Sequence, residues 1–224
     1  MRDLCLPVGL SAPEMEKLDT LVAVRRQVRR GEALFRRDDP FTAIHAIRAG
    51  FFKTCMKAED GREQIIGFHM AGELLGFDGI DDHLHGCDAI ALEDSEVCVI
   101  PYASLEDMAR ESPALQRHVH RVMSREIVRD HGSMLLLGGM RADERVAAFL
   151  VNLARRQQAL GFSPSSLVLR MSRQEIGTYL GLTLETVSRC LSRLQESGVL
   201  GVQQRRIEIL KAEALRPTVA APAA

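Results

Sequence analysis

The stretch SRQEIGTYLGLTLETVSRCLSRL, residues 172–194, sets two short helical patterns on either side of Gly181. Ser172 suits the N-cap of the first, and Glu175 three residues on completes a reciprocal capping box. Ile176 and Leu180 give that helix an inward face at i, i+4 spacing, and Gly177 leaves room for a second helix to come close. Gly181 suits the left-handed position that ends a helix. Thr183 then caps the next one, whose buried stripe is expected to be Leu184, Val187, Leu191 and Leu194. The pattern is a helix-turn-helix. The opposite face of its second helix carries Glu185, Ser188 and Arg189 near the N-terminal end, where such a helix meets base edges in the major groove. Arg can fork onto guanine O6 and N7, a carboxylate can accept from cytosine N4, and Ser can bond a base or a phosphate. A helical hairpin with a merely solvated polar face has no need for capping, turn glycine and base-reading side chains to coincide.

The charge distribution supports this reading. The net charge of −1 hides an asymmetry: residues 1–140 hold 17 Lys/Arg against 23 Asp/Glu, a balance of −6, and residues 141–211 hold 11 against 6, a balance of +5. The basic end is the end with the helix-turn-helix, as phosphate binding requires. A strand expected at Leu167 to Met171 precedes the motif. Val199 to Leu210 alternates around Gln203 to Arg206 as a hairpin, so that the whole forms a winged helix. The DNA-facing set expected from this segment is Glu185, Ser188, Arg189, Thr183 and Arg173, with Arg205 and Arg206 of the hairpin on phosphates. The amphipathic stretch Asp143 to Arg156, with Val146, Phe149, Leu150 and Leu153 inward, completes the domain.

Toward the N-terminus the pattern changes to short apolar runs punctuated by Gly31, Gly50, Gly61, Gly72, Gly76 and Gly79. Examples are Ile44 to Phe52, Gln64 to Phe68 and Val97 to Ile100, which read as an antiparallel barrel or sandwich. Pro101 to Glu111 reads as a short helix, and Pro113 opens a longer one. In that helix Met123, Ile127, Asp130, Met134 and Leu137 follow one another at steps of 4, 3, 4 and 3, the spacing of a two-stranded seam and hence of a homodimer. Packing within its own domain would give the same stripe. Asp130 is the odd member. Two such carboxylates facing across a seam repel and lose hydration, which poises the dimer, unless Asp130 turns to the rim and pairs with Arg129 or Arg125.

The expected fold class is α+β, with a β-roll over residues 1–112, a dimerisation helix over 113–140, a winged helix-turn-helix over 141–216 and a disordered tail over 217–224. No apolar run is long enough to span a membrane, and Met1 is followed by Arg2 and Asp3 rather than an apolar signal region, so a cytoplasmic location is expected. The five cysteines are then thiols or ligands rather than disulfides.

Roll, long helix and winged helix together resemble the CRP/FNR superfamily of bacterial transcription regulators over nearly the whole chain. Four stretches are similar to its FNR branch: LCLPVGLSAPEMEKLD (4–19), GFHMAGELLGFD (67–78), VCVIP (97–101) and GLTLETVSR (181–189). The resemblance implies a homodimer that reads a palindrome of TTGAT half-sites through Glu185, Ser188 and Arg189, with RNA polymerase as a further partner. In the cyclic-AMP branch the same roll holds a phosphate on an Arg-Ser pair soon after a GELGLF-like turn. Here GELLGF is kept at Gly72 to Phe77. Residues 78–93, however, contain no Lys or Arg and do contain Asp78, Asp81, Asp82, Asp88 and Glu93, so no cyclic AMP is expected.

FNR-type regulators hold an oxygen-labile 4Fe-4S iron–sulfur cluster on four cysteines, three in an N-terminal C-x2-C-x5-C run and one in the roll. The resemblance matches Cys5 to the last of the three and Cys98 to the distant one; the remaining two would fall upstream of Met1. Either the true start lies further upstream, or this branch senses differently, through another small ligand or through thiols without a cluster. Two cysteines do not hold four irons alone. Cys55 and Cys190 are expected in the core. Asp81, His83, His85 and Cys87 alternate, so as a strand they would share a face able to hold a metal, whereas as a loop they would be ordinary solvated residues. Cupin metalloenzymes also use β-rolls, but His83-x-His85 lacks the glycine that cupins carry five residues earlier. No segment pairs a nucleophile with a base, so no catalytic residues are expected.

Overall fold

The computed structural model describes Leu21 and residues 24–58 and 60–215; Cys5 and the tail expected over 217–224 lie outside these residues. The glycine-punctuated region folds into β1 (Val24–Val28), β2 (Ala33–Phe35), β3 (Ala43–Ala49), β4 (Phe51–Lys57), β5 (Glu63–Met70), β6 (Leu74–Leu75), β7 (Asp88–Ala91) and β8 (Ser95–Pro101). They form two antiparallel four-stranded sheets, ordered β1-β8-β3-β6 and β2-β7-β4-β5.

Period-two alternation sorts the side chains of β3 and β8 between two cores. Ile44 and Ala46 join Cys98 and Ile100 in a cluster with Leu74, Leu105 and Leu115. Ile47 and Val97 turn the other way, into a cluster drawn from both sheets with Phe35, Phe52, Leu75 and Cys87. Ile44, Ile47 and Phe52 are fully buried, and each such side chain contributes about 1.5–3 kcal/mol. The run expected from Ile44 to Phe52 is two strands in different sheets. Gly50 turns the chain between them at φ 100°, and a Cβ there would run into the Ser95 side chain. Helices α1 (Tyr102–Glu111) and α2 (Pro113–Gly139) supply Leu105 and Leu115 to the first cluster.

The chain divides into two compact units between Ser124 and Arg125, so α2 begins in one and ends in the other. The second unit contains α3 (Ala142–Ala159), β9 (Ser166–Val168), α4 (Arg173–Leu180), α5 (Leu184–Glu196), β10 (Leu200–Gln203) and β11 (Arg206–Ile209), with its sheet in the order β10-β11-β9. Its core takes Val146, Phe149, Leu150 and Leu153 from α3, Ile176 and Leu180 from α4, Val187, Cys190 and Leu191 from α5, and Ile207 from the hairpin. The strand expected through Met171 stops at Val168. Leu169 makes a last bond to the Arg205 carbonyl (2.8 Å), after which the chain turns so that Ser172 can cap α4.

The stretch from Asp81 to Cys87 is a loop, not a strand with one liganding face. His83 adopts φ 56° and is exposed, whereas His85 is buried with its ring stacked on Phe35 at 3.7 Å. Among the described residues no group of three or more His, Cys, Asp or Glu is placed to hold a metal ion, and no helix is long and apolar enough to cross a membrane.

Candidate nucleic-acid interface

Four local devices hold α5 in place. The capping box closes in both directions, with Glu175 N donating to Ser172 Oγ at 3.1 Å and Ser172 N donating to the Glu175 carboxylate at 2.8 Å. Gly181 ends α4 at φ 63°, ψ 39°. Gly177 allows the turn itself to come close, since a Cβ there would lie 2.6 Å from the Leu182 carbonyl oxygen. Thr183 Oγ1 then accepts from Thr186 N at 3.2 Å and starts α5.

Along α5, Val187, Cys190 and Leu191 are buried, while Glu185 and Arg189 are exposed and Ser188 is half-buried beside them. Residues 185, 188 and 189 share one face because they are three and four positions apart. Hydrogen bonds from its own backbone N–H and from Thr183 hold the Glu185 carboxyl below the usual carboxylate range, with Arg189 adding to the effect, so it faces solvent as an ionised acceptor. Leu184 does not belong to the buried stripe as expected: it is 39% exposed, because the first turn of α5 projects beyond the core that covers Leu191. Leu194 is only half-buried.

The hairpin tip turns at Gln204 (φ 55°) and leaves Arg205 and Arg206 exposed. Arg173 is half-buried, and its Nη2 donates to the Gln204 carbonyl at 3.1 Å, which ties α4 to the wing. Its Nη1 is buried without a protein acceptor, and burial lowers the pKa of the guanidinium. Exposed basic tip, half-buried arginine and polar helix face all lie in one unit with net positive charge, an arrangement suited to a phosphate-flanked groove.

On α2, Ile127, Met134 and Leu137 are 55%, 67% and 40% exposed, Met123 is half-buried and Asp130 is exposed. The seam positions therefore present an apolar stripe with one carboxylate in it. Arg129, one candidate partner for Asp130, bonds Glu126 one turn back.

In the roll, Cys98 is buried among apolar side chains of its cluster, which half-buried Leu21 also lines. Cys55 lies on β4 of the other sheet and Cys87 at the end of the loop just before β7, both buried. Burial pushes the Cys55 thiol up to about 11 and raises Cys87 further, with Asp78 adding to the latter. Cys190 is fully buried behind Arg189, and burial again raises its pKa. The described residues form no group of three or more thiol, imidazole or carboxylate side chains placed to hold a metal, so by themselves they do not fit a four-iron cluster. Beyond Gly72–Phe77, the side chain facing into the loop is Asp78. It accepts from Gly86 N at 2.8 Å and from the Cys87 thiol at 3.5 Å, and it faces His85 Nδ1 at 3.5 Å. Burial opposes its ionisation, but these bonds outweigh it and its pKa is lowered. A carboxylate thus occupies the segment where a phosphate would need a cation.

Contacts that periodicity does not reveal centre on Arg145, which bonds three backbone carbonyls, and on Tyr179, whose hydroxyl meets that of Ser133 at 2.8 Å. In sequence, Arg145 is one more polar position on an amphipathic helix.

A winged helix with an exposed polar and charged face on its second helix, in a chain whose described residues also form an eight-stranded roll, defines a DNA-binding regulator. Residues 144–218 match the Crp-like helix-turn-helix domain family, and residues 25–112 match the cyclic nucleotide-binding domain family. The chain is 46% identical over 216 residues to transcriptional regulatory protein btr of Bordetella pertussis, covering 96% of this chain and 89% of that protein. It is 44% identical over 212 residues to the fumarate and nitrate reduction regulatory protein of Salmonella typhimurium, covering 95% of this chain and 85% of that one. Among solved structures, FixK2 from Bradyrhizobium japonicum superposes with a TM-score of 0.81 at 34% identity, over 89% of this chain and 98% of FixK2. The chain belongs to the CRP/FNR family, in its FNR-like branch, and is a DNA-binding transcription regulator rather than an enzyme.

Proposed function

We propose that this protein is a cytoplasmic homodimer that reads a palindrome of TTGAT-like half-sites and changes its DNA affinity with oxygen or redox state, acting on transcription through RNA polymerase. The observation that carries the DNA half of this reading is the face of α5, where Glu185, Ser188 and Arg189 stand together on a helix capped by Thr183. Arg173, Arg205 and Arg206 are its phosphate-side residues. The exposed stripe from Met123 to Leu137 is the dimer seam, and two-fold symmetry there matches a palindromic site.

The signalling half rests on the 44–46% identity to regulators that include one named for fumarate and nitrate reduction. Cys98 is the roll's contribution to a thiol ligand set that Cys5 would extend. Bound there, an iron–sulfur group would supply oxygen-labile chemistry. This chain's own part is to keep Cys98 dry and to couple its cluster to α2 through Leu115. Simple thiol oxidation at Cys55 or Cys87 is disfavoured, because the reactive form is the thiolate and both thiols are buried with raised pKa. Cyclic AMP is disfavoured by Asp78.

Gel-shift titrations on a TTGAT palindrome, a scrambled duplex and a cyclic-AMP-branch palindrome, in air and without oxygen, test the reading. Selective binding to the first is expected, strengthening without oxygen in the fraction of chains that carries the iron–sulfur group. Equal affinity for all three would refute the base-reading assignment, and identical curves in both atmospheres would refute the oxygen response.

A further inference from the structure

The last turn of α2 contains Gly138 and Gly139, and a Cβ at either would meet nothing within 4 Å. Neither glycine is therefore required by packing, and the pair makes the helix end easy to bend. A reading head carried on such an end would swing. One side chain counters this. Arg145, in the first turns of α3, donates from Nη2 to the Leu137 carbonyl (2.9 Å), from Nε to the Met140 carbonyl (2.9 Å) and from Nη1 to the Leu180 carbonyl (3.0 Å). The first two acceptors flank the glycine pair, and the third is the last residue of α4.

A guanidinium suits this position because its donors lie in one plane and diverge. Its charge also lies at two helix C-termini, where carbonyls lack intrahelical partners and the dipole ends are negative. Contact is close on both sides, since a Cβ on Gly181 would lie 3.4 Å from Arg145 Nη1 and 3.4 Å from Leu137 Cδ2. One helical turn back along α2, the Ser133 and Tyr179 hydroxyls meet at 2.8 Å. Two attachments a turn apart determine direction as well as position, so α4, its turn and the start of α5 are oriented relative to the seam residues of α2.

We propose that Arg145 is a positioning residue that locks the helix-turn-helix to the end of the dimer helix and thereby determines the half-site spacing this regulator accepts. The inference rests on the homodimer proposed above. In a dimer, the separation and angle of the two α5 helices follow from how rigidly each is held to its own α2, and DNA converts that geometry into a preferred number of base pairs between half-sites. Base preference within a half-site stays with Glu185, Ser188 and Arg189, which Arg145 does not touch.

The full chain is titrated against duplexes carrying two TTGAT half-sites with spacers lengthened or shortened by one and two base pairs, and against a duplex with a single half-site. The wild type is expected to favour one spacer. Arg145→Gln should reduce the ratio of its best to its neighbouring spacers by about tenfold, as loss of charge-assisted bonds would allow, while its preference for TTGAT over an altered single half-site stays unchanged. Adding Gly138→Ala and Gly139→Ala to that variant should restore part of the spacing ratio, because both positions have room for a methyl group and alanine stiffens the helix end. A purely structural arginine would lower affinity on every duplex alike, without rescue by the alanines; that result, or a spacing ratio equal to the wild type, would overturn the proposal. If Arg145→Gln does not fold, Arg145→Lys, which keeps the charge but not the three-way fork, goes through the same titrations with the same expected loss. A wild type with no spacing preference at all would instead remove the homodimer reading, and this inference with it.

Discussion

Arg189 is an exposed side chain standing next to a fully buried Cys190, so its backbone position is determined from behind while its guanidinium is open to solvent. Arg189→Ala should cost about 1–3 kcal/mol on a TTGAT site and leave salt-sensitive nonspecific binding largely intact, measured by competition gel shift. Equal losses on specific and random DNA would count against it. His45 makes a different prediction. It is buried in β3 near the Phe35 ring, and its pKa is lowered from 6.5 to about 4, first by burial, then by His85 and Arg26, with Asp78 opposing. A proton therefore binds the unfolded chain more readily than the folded one. The contribution of neutral His45 is intact above pH 6.5 and is lost as the pH falls toward 4, by about 3 kcal/mol in all. Urea midpoints measured across that window should fall with pH in the wild type and less steeply in His45→Phe. Parallel profiles would show that the histidine titrates elsewhere.

Among the elements, α2 and the wing separate what packing decides from what charge decides. The stripe on α2 is exposed in the protomer and carries Asp130 between Ile127 and Met134, so a second copy covering it would bring two carboxylates together. Asp130→Ala should tighten the dimer and make DNA binding less dependent on the signal, with sedimentation equilibrium as the measurement. An unchanged association constant removes the idea. Arg205 and Arg206 at the wing tip are exposed. Neutralising one should lower the slope of log affinity against log salt by about one and weaken all sequences alike. Within α5 the periodicity correctly places Val187 and Leu191 inward but misplaces Leu184. Helical spacing gives a side chain's direction, and burial also needs a neighbour to cover it.

For the molecule as a whole, the placement of the thiols limits what metal group the chain can hold. Cys98 lies in one core cluster, Cys87 in the other and Cys190 in the second unit. Anaerobic reconstitution of this chain with iron and sulfide is therefore expected to give less than one four-iron cluster per chain by iron analysis and absorption. A stoichiometric cluster lost in both Cys55→Ala and Cys87→Ala would reverse that expectation. The helix-turn-helix was legible residue by residue because its signals are local: a cap and its carboxylate lie three positions apart, a left-handed glycine ends a helix, and one face repeats every three or four residues. The same holds for the long helix and the hairpin. What local spacing does not carry is which side chains meet across elements. The segment from Asp81 to Cys87 reads as a loop and is one, but spacing does not tell its histidines apart: His85 turns inward to stack on Phe35 and His83 turns out. The run at Ile44 to Phe52 became two strands because Ser95, far along the chain, allows only glycine at position 50. Arg145 carries no local signal, and only the completed fold sets three carbonyls around it. Sequence alone determined the DNA-binding class, since capping and periodicity act within a few residues; tertiary structure decided the carbonyls that Arg145 bonds, the inward turn of His85 and the separation of the thiols, since those depend on residues brought together only by the completed fold.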